Sequence, residues 1–98
     1  MRVRWLRSAS RNLDAAIEYI AREDPGAAAK AYTHIREIVA VLAEQPGLGR
    51  PGRIFGTREL VIEKYPYIIP YRIQNDEVQI LRVFHTSRKP PKAWQISE

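Results

Sequence analysis

Arg82, His85 and Arg88 stand three residues apart in the stretch VQILRVFHTSRKPPKAW, residues 78–94, where an apolar strand pattern gives way to a basic tail. An imidazole between guanidiniums suits proton transfer beside a phosphate, with His85 as base and Arg72, Arg82 and Arg88 as clamps. The same set also suits plain gripping of an anionic surface, and a single strand-end histidine is commonly held by backbone alone. Other chemistries have less material. His34 and His85 are the only histidines and cysteine is absent, so no metal site or cofactor is expected. Thr86 and Ser87 are expected to lie too near His85 along an extended segment to face it as nucleophiles. The glycine-rich run PGLGRPGRIFGT, residues 46–57, lacks the Gly-Lys-Ser/Thr ending of a phosphate-binding P-loop, and no strand leads into it. It reads as a long turn from helix to sheet.

The elements that must position these residues follow from periodicity. Residues 2–7, RVRWLR, alternate as a half-exposed strand. Ser8 or Ser10 is the expected cap of a first helix whose apolar stripe is Leu13, Ala16, Ile17, Ile20 and Ala21. Asp24-Pro25 starts a second helix, with Ala28, Tyr32, Ile35, Val39 and Leu42 on one face, and Pro46-Gly47 halts it. So short a joint between the helices folds them into an αα-hairpin. RELVIE (58–63), YIIPYRI (67–73) and VQILRVFH (78–85) read as strands, the last two joined by a tight turn at Asn75-Asp76. The predicted fold is therefore α+β in the order β-α-α-β-β-β, a helix hairpin on one face of a mainly antiparallel sheet. All 98 residues form a single domain.

A tight turn at Asn75-Asp76 pairs 73 with 78, 71 with 80, 69 with 82 and 67 with 84. Tyr67, Phe84 and Arg82 then share the helix-covered face, and Arg82 needs a carboxylate such as Glu18 or Glu37, or an open groove. Ile68, Leu81 and Val83 fall on the opposite face. That strip is either a docking surface or is covered by the tail through Pro90, Pro91 and Trp94. Pro70 lacks a ladder donor, so its amide position should point away from a neighbour or sit beside a bulge.

The net charge of +5 is concentrated in the second half: nine basic and five acidic residues from 50 to 98, against seven and six before. An acidic or polyanionic partner is the natural counterpart, with a solvated basic surface as the alternative. No run approaches the roughly 20 apolar residues that cross a bilayer, and MRVRWLRSAS lacks a secretory apolar core. No membrane role is expected, and a cytoplasmic location is.

The phrases LAEQPGLGRPGRIFGTREL, YPYIIPYRI and ILRVFHTSRKPP resemble the RelE/ParE toxins of type II toxin–antitoxin pairs over nearly the whole chain, and the ParE branch in particular. RelE-like members cleave messenger RNA on the ribosome. Their central-strand arginine, second arginine and terminal tyrosine fall near Ile68, Thr86 and Lys92 here, none of them matching in type. The resemblance thus implies a growth-arresting toxin that inhibits DNA gyrase through its A subunit and is not an enzyme. It also implies a ParD-like antitoxin, bound in a hetero-oligomer. A RelE-like ribosome-dependent endoribonuclease is the alternative, and a small basic nucleic-acid-binding module a third. On this reading the target is gripped by His85, Arg88, Lys89, Lys92 and Trp94. The antitoxin, an acidic and apolar segment that folds on binding, lies against Trp5, Ile17 and Tyr32 with Arg58, Lys64, Arg72 and Arg82 as a basic rim.

Overall fold

The computed structural model describes all 98 residues. The chain runs β1 (Arg2–Trp5), α1 (Arg7–Ala21), α2 (Pro25–Ala40), a 3₁₀ turn (Val41–Ala43), β2 (Arg50–Pro51), β3 (Arg58–Ile62), β4 (Tyr67–Gln74), β5 (Glu77–Ile80) and β6 (Phe84–His85). This is the expected α+β architecture, with β2 and β6 as two short additional strands. No helix is long and apolar enough to cross a membrane.

α2 starts as its sequence predicts: the Asp24 side chain accepts from the Ala27 amide at 3.1 Å, and Pro25 fills the first turn. α1 does not. Leu6 occupies its N-cap position without a side-chain bond, and neither Ser8 nor Ser10 caps it. A free amide of the first turn is taken by the tail instead, Ser8 N–H donating to Ser97 O at 3.0 Å.

The sheet has the order β1-β5-β4-β3-β2, with β6 beside β4. β1 is parallel to β5, and the remaining pairs are antiparallel. The helix pair covers one face, where Leu13, Ile35, Val39 and Leu42 pack on Leu60, Ile62, Ile69, Tyr71, Val78 and Ile80. Ile35, Leu42, Ile69 and Ile80 are wholly inaccessible, each burial stabilising the fold by roughly 1.5–3 kcal/mol. Asn75 and Asp76 turn the β4–β5 hairpin with φ of +54° and +59°, and the expected pairs Ile73–Val78 and Tyr71–Ile80 form.

Beyond Ile80 the register slips by one. Ile68 pairs with Phe84 and Tyr67 with His85, so Ile69 and Pro70 oppose three residues, Leu81, Arg82 and Val83. This is a β-bulge, and it sits beside Pro70. The Pro70 carbonyl accepts the Leu81 amide at 2.9 Å, but proline has no N–H to return, so the Leu81 carbonyl is left over. Ser8 Oγ donates to that carbonyl at 2.7 Å. Asn12, four residues along the same face of α1, accepts the Val83 amide at 3.2 Å. The slip corrects the expected faces. Val83 enters the main core, while Phe84 leaves it for a second cluster around Leu6, Ile68, Leu81 and Trp94.

That second cluster decides what covers the outer apolar strip: the chain's own tail does. Trp94 is 8% exposed and meets Phe84 edge-on at 5.3 Å. Further along, the Glu98 carboxylate lies 3.6 Å from both Arg4 and Arg72. Inward of those pairs, Gln79 is fully buried, accepting from Arg72 at 2.8 Å and donating to Glu77 at 2.9 Å.

The glycine-rich turn is tied at two points. Tyr71 OH donates to Pro46 O and accepts from the Gly49 amide, each at 2.8 Å. A Cβ on Gly49 would stand 2.6 Å from the Tyr71 ring, so only glycine admits this approach. Glu59, 2% exposed, accepts from the Arg53 amide and Nε at 3.0 Å and from Arg53 Nη2 at 3.2 Å. Burial pushes the Glu59 carboxyl up, but the Arg53 bonds and charge, helped by Arg50, hold it below its ordinary value of 4.5.

Two outcomes are expected. Trp94→Ala should destabilise the fold by about 3 kcal/mol, whereas Trp94→Phe should cost far less, because the buried Trp94 Nε1–H has no acceptor; denaturant midpoints check both. With its folded pKa below the unfolded one, the Glu59 clamp contributes fully above about pH 4.5 and fades as pH falls through the folded value. Glu59→Gln should therefore lose about 1–3 kcal/mol at pH 7, its guanidinium partners being partly open to solvent, and the gap from the parent should narrow in urea titrations run towards pH 3.

Candidate functional site

The opening triplet is brought together by the bulge and by a turn that follows β6. Arg88 N–H donates to His85 O at 3.1 Å, which folds residues 85–88 back on themselves. Ser87, expected to be out of reach, is therefore against His85: its amide donates to His85 Nδ1 at 3.1 Å and its Oγ lies 2.7 Å from the same nitrogen. The Nδ1 lone pair is directed at the amide, so the neutral ring carries its proton on Nε2. Ser87 thus fixes the imidazole through both its amide and its hydroxyl. On its other side the ring meets Tyr67 edge-on at 5.2 Å.

Arg82 opens into a groove, the second of the two expected arrangements, and no helix carboxylate meets it. Its Nε donates to Asn12 Oδ1 at 2.6 Å and its Nη1 to Gln95 O at 2.9 Å. Glu18, one of the expected partners, lies instead 3.9 Å from Arg22. Both acceptors of Arg82 are neutral, so the guanidinium is held in place with its charge intact.

Arg82, His85 and Arg88 converge on a cleft of about 500 Å³ between α1 and the β4–β6 pair. Asn12, Ala15, Ala16 and Tyr19 form its helical wall, Tyr67 lies among its lining residues, and none of those residues is acidic. Burial pushes the Tyr67 phenol up, against the pull of the Arg88 charge, so it stays a protonated donor at neutral pH. Lys89 and Lys92 are exposed beyond this cleft, and neither they nor Arg88 joins an ion pair. Trp94 does not belong with them: it is packed under the tail against Leu6, Ile68 and Leu81.

The seven residues expected to meet a second partner are spread over the molecule. Trp5 and half-exposed Tyr32 do come together, through Arg36, whose Cζ lies 5.0 Å and 5.9 Å from the two rings. Ile17 is largely turned to the core. Arg58 donates to Gly49 O at 2.7 Å and steadies the glycine-rich turn. Lys64 lies 5.9 Å from the Tyr65 ring. Arg72 is bonded to Gln79, and Arg82 lines the cleft.

Sequence reasoning missed three exposed groups. Arg36 is one, and its i, i+4 spacing from Tyr32 was the available signal. Tyr19 is 70% exposed on the cleft wall, hidden in the sequence by the helix stripe beside it. Phe55 is entirely exposed in the glycine-rich turn, where no periodicity marks a face. A second groove of about 540 Å³, lined by His34, Ile38, Leu48, Leu60, Val61 and Lys64 among others, runs beside β3. There β2 pairs only with Arg58 and Glu59, leaving the rest of that strand's edge open.

Known proteins share this arrangement. A chain in the solved structure of the chromosomal ParDE TA system from P. aeruginosa superposes with a TM-score of 0.78 at 36% identity, over 87% of this chain and 95% of that one. The protein named "Putative toxin Y4kP" of Sinorhizobium fredii (strain NBRC 101917 / NGR234) is 50% identical over 91 residues, 93% of this chain and 94% of its own length. Residues 3–90 match the family model of the ParE toxin of the type II toxin–antitoxin system parDE, a span that takes in both helices, all of the sheet but Arg2 and the cationic turn, and the chain belongs to that family.

Proposed function

We propose that this ParE-family toxin arrests growth by binding DNA gyrase, through its A subunit, and that it does so by occupancy rather than catalysis. The observation that carries the reading is the cationic end of the chain: Arg88, Lys89 and Lys92 are exposed and unpaired, and Arg88 lines a cleft with no acidic lining residue. A surface of that kind suits a protein–DNA complex, where phosphates and protein meet. The residue types of the RNA-cleaving branch are not matched near Ile68, Thr86 and Lys92, which supports occupancy over catalysis. Gyrase acts on the chromosome, which places the toxin in the cytoplasm.

A ParD-like antitoxin would silence it in a hetero-oligomer. The P. aeruginosa structure is of a ParDE system, and that likeness supports such a partner here. An acidic, apolar segment fits the Trp5–Arg36–Tyr32 corner, where two aromatic rings flank an exposed guanidinium.

The triple substitution Arg88→Ala, Lys89→Ala, Lys92→Ala touches only exposed side chains and should change stability by no more than about 0.5 kcal/mol per site. It should weaken inhibition of gyrase supercoiling by about tenfold or more, since three charge contacts at more than about 0.5 kcal/mol each exceed the 1.4 kcal/mol of a decade. Antitoxin affinity should stay within about threefold of the parent. Undiminished inhibition by the triple variant would refute the assignment. Ribosome-dependent transcript cutting by the parent would replace gyrase with the RelE-like activity.

A further inference from the structure

We propose that the cleft between α1 and the β4–β6 pair is a binding site for a nucleoside phosphate, either a free nucleotide or one unit of a nucleic-acid strand. The inference goes beyond gyrase inhibition and does not depend on it.

The cleft supplies hydrogen-bond donors. Arg82 is fixed by Asn12 and Gln95 through Nε and Nη1, which leaves Nη2 without a partner. His85 has its Nδ1 filled by Ser87, which leaves Nε2–H as the ring's donor. Arg88 has no side-chain bond and no ion pair, and Arg82 and His85 lie on the same cleft wall. A phosphate offers several acceptor oxygens and a charge to match, and charge-assisted bonds to guanidinium are the strong ones of their class. With no acidic lining residue, nothing within the cleft competes for these donors.

The cleft also carries aromatic and apolar surface. Tyr19 stands 70% exposed, and Tyr67, Ala15, Ala16 and Val83 line it as well. A bare phosphate or carboxylate would leave this surface uncovered, whereas a nucleobase stacks on a tyrosine face. At about 500 Å³ the space falls within the range of small-ligand sites. Preorganisation is the second argument. Arg82 is locked by two hydrogen bonds and His85 by the Ser87 contacts at Nδ1 before any ligand arrives, so little side-chain freedom remains to be lost on binding.

The test is calorimetric titration of the full chain with adenosine 5′-monophosphate, adenosine, inorganic phosphate and a short single-stranded DNA. Adenosine 5′-monophosphate should bind saturably, with adenosine and inorganic phosphate each about tenfold weaker or more. Arg88→Gln and Arg82→Gln should each weaken the nucleotide by about tenfold, whereas Lys30→Gln, on α2, should leave it unchanged. Should Arg82→Gln fail to fold, because it also ties Asn12 to the tail, Arg88→Gln and Tyr19→Ala decide the matter. DNA binding tighter than the mononucleotide, and sensitive to the same substitutions, identifies a strand as the source. Equal or weaker DNA binding identifies the free nucleotide. Absence of saturable binding by either, or parental affinity in both Arg88→Gln and Tyr19→Ala, overturns the proposal. Gyrase takes no part in this titration, so its failure leaves the toxin reading standing, and failure to inhibit gyrase leaves this site standing.

Discussion

The missing amide hydrogen of Pro70 is the constraint on which the functional end of this protein depends. Pro70 lies in a central strand, between β3 on one side and the β5–β6 segment on the other. A central-strand proline must leave some acceptor without its ladder donor, and the chain meets that by inserting a residue opposite it. The freed groups, Leu81 C=O and Val83 N–H, are both claimed by α1, through Ser8 and Asn12. Left unpaired in this partly buried setting, each would cost on the order of 1–3 kcal/mol. The helix is thereby bolted to the bulge by two polar contacts four residues apart.

Everything at the cationic end follows from that bolt. The slip sends Val83 into the core and Phe84 to the outer cluster, where it receives Trp94 and holds the tail. It also opens Arg82 into the groove rather than the apolar core, where an isolated guanidinium would be strongly disfavoured, and lets Asn12 hold it without neutralising it. The same asparagine therefore satisfies the bulge and aims a charge. Beside it, the Ser87 amide and hydroxyl hold the imidazole in place. The result is a positive cleft with an exposed basic extension.

Much of this architecture was legible in the residues. Asp24-Pro25 announced the start of α2, Asn75-Asp76 the hairpin, and the apolar stripes the two helices and their packing face. The register near the turn was correct because turn geometry dictates it over a few residues. It failed farther out because a bulge is a tertiary solution. Pro70 signalled that something must yield, but only the presence of Ser8 and Asn12, some seventy positions away in sequence, decides which strand does so. The N-terminus of α1 was misread for a related reason, since its first-turn amide is satisfied by Ser97 from the other end of the chain. Trp94 was read both as a partner contact and as part of a tail folding over the outer strip, because an aromatic in a basic tail has no periodicity to place it; the buried indole fits the second. Membership of the ParE family was carried by the glycine-rich turn and the ILRVFHTSR segment, and both of these lie within the matched span.

The register across β4 and β6 tests the account most directly. Two-dimensional NMR of the labelled chain should show backbone cross-strand contacts of His85 with Tyr67 and of Phe84 with Ile68, together with a slowly exchanging Leu81 amide bonded to Pro70. Contacts of Phe84 with Tyr67 and of Arg82 with Ile69, the pairs of an unbroken hairpin, would contradict it. The charge would then lie against the core and the cleft would lose its donors.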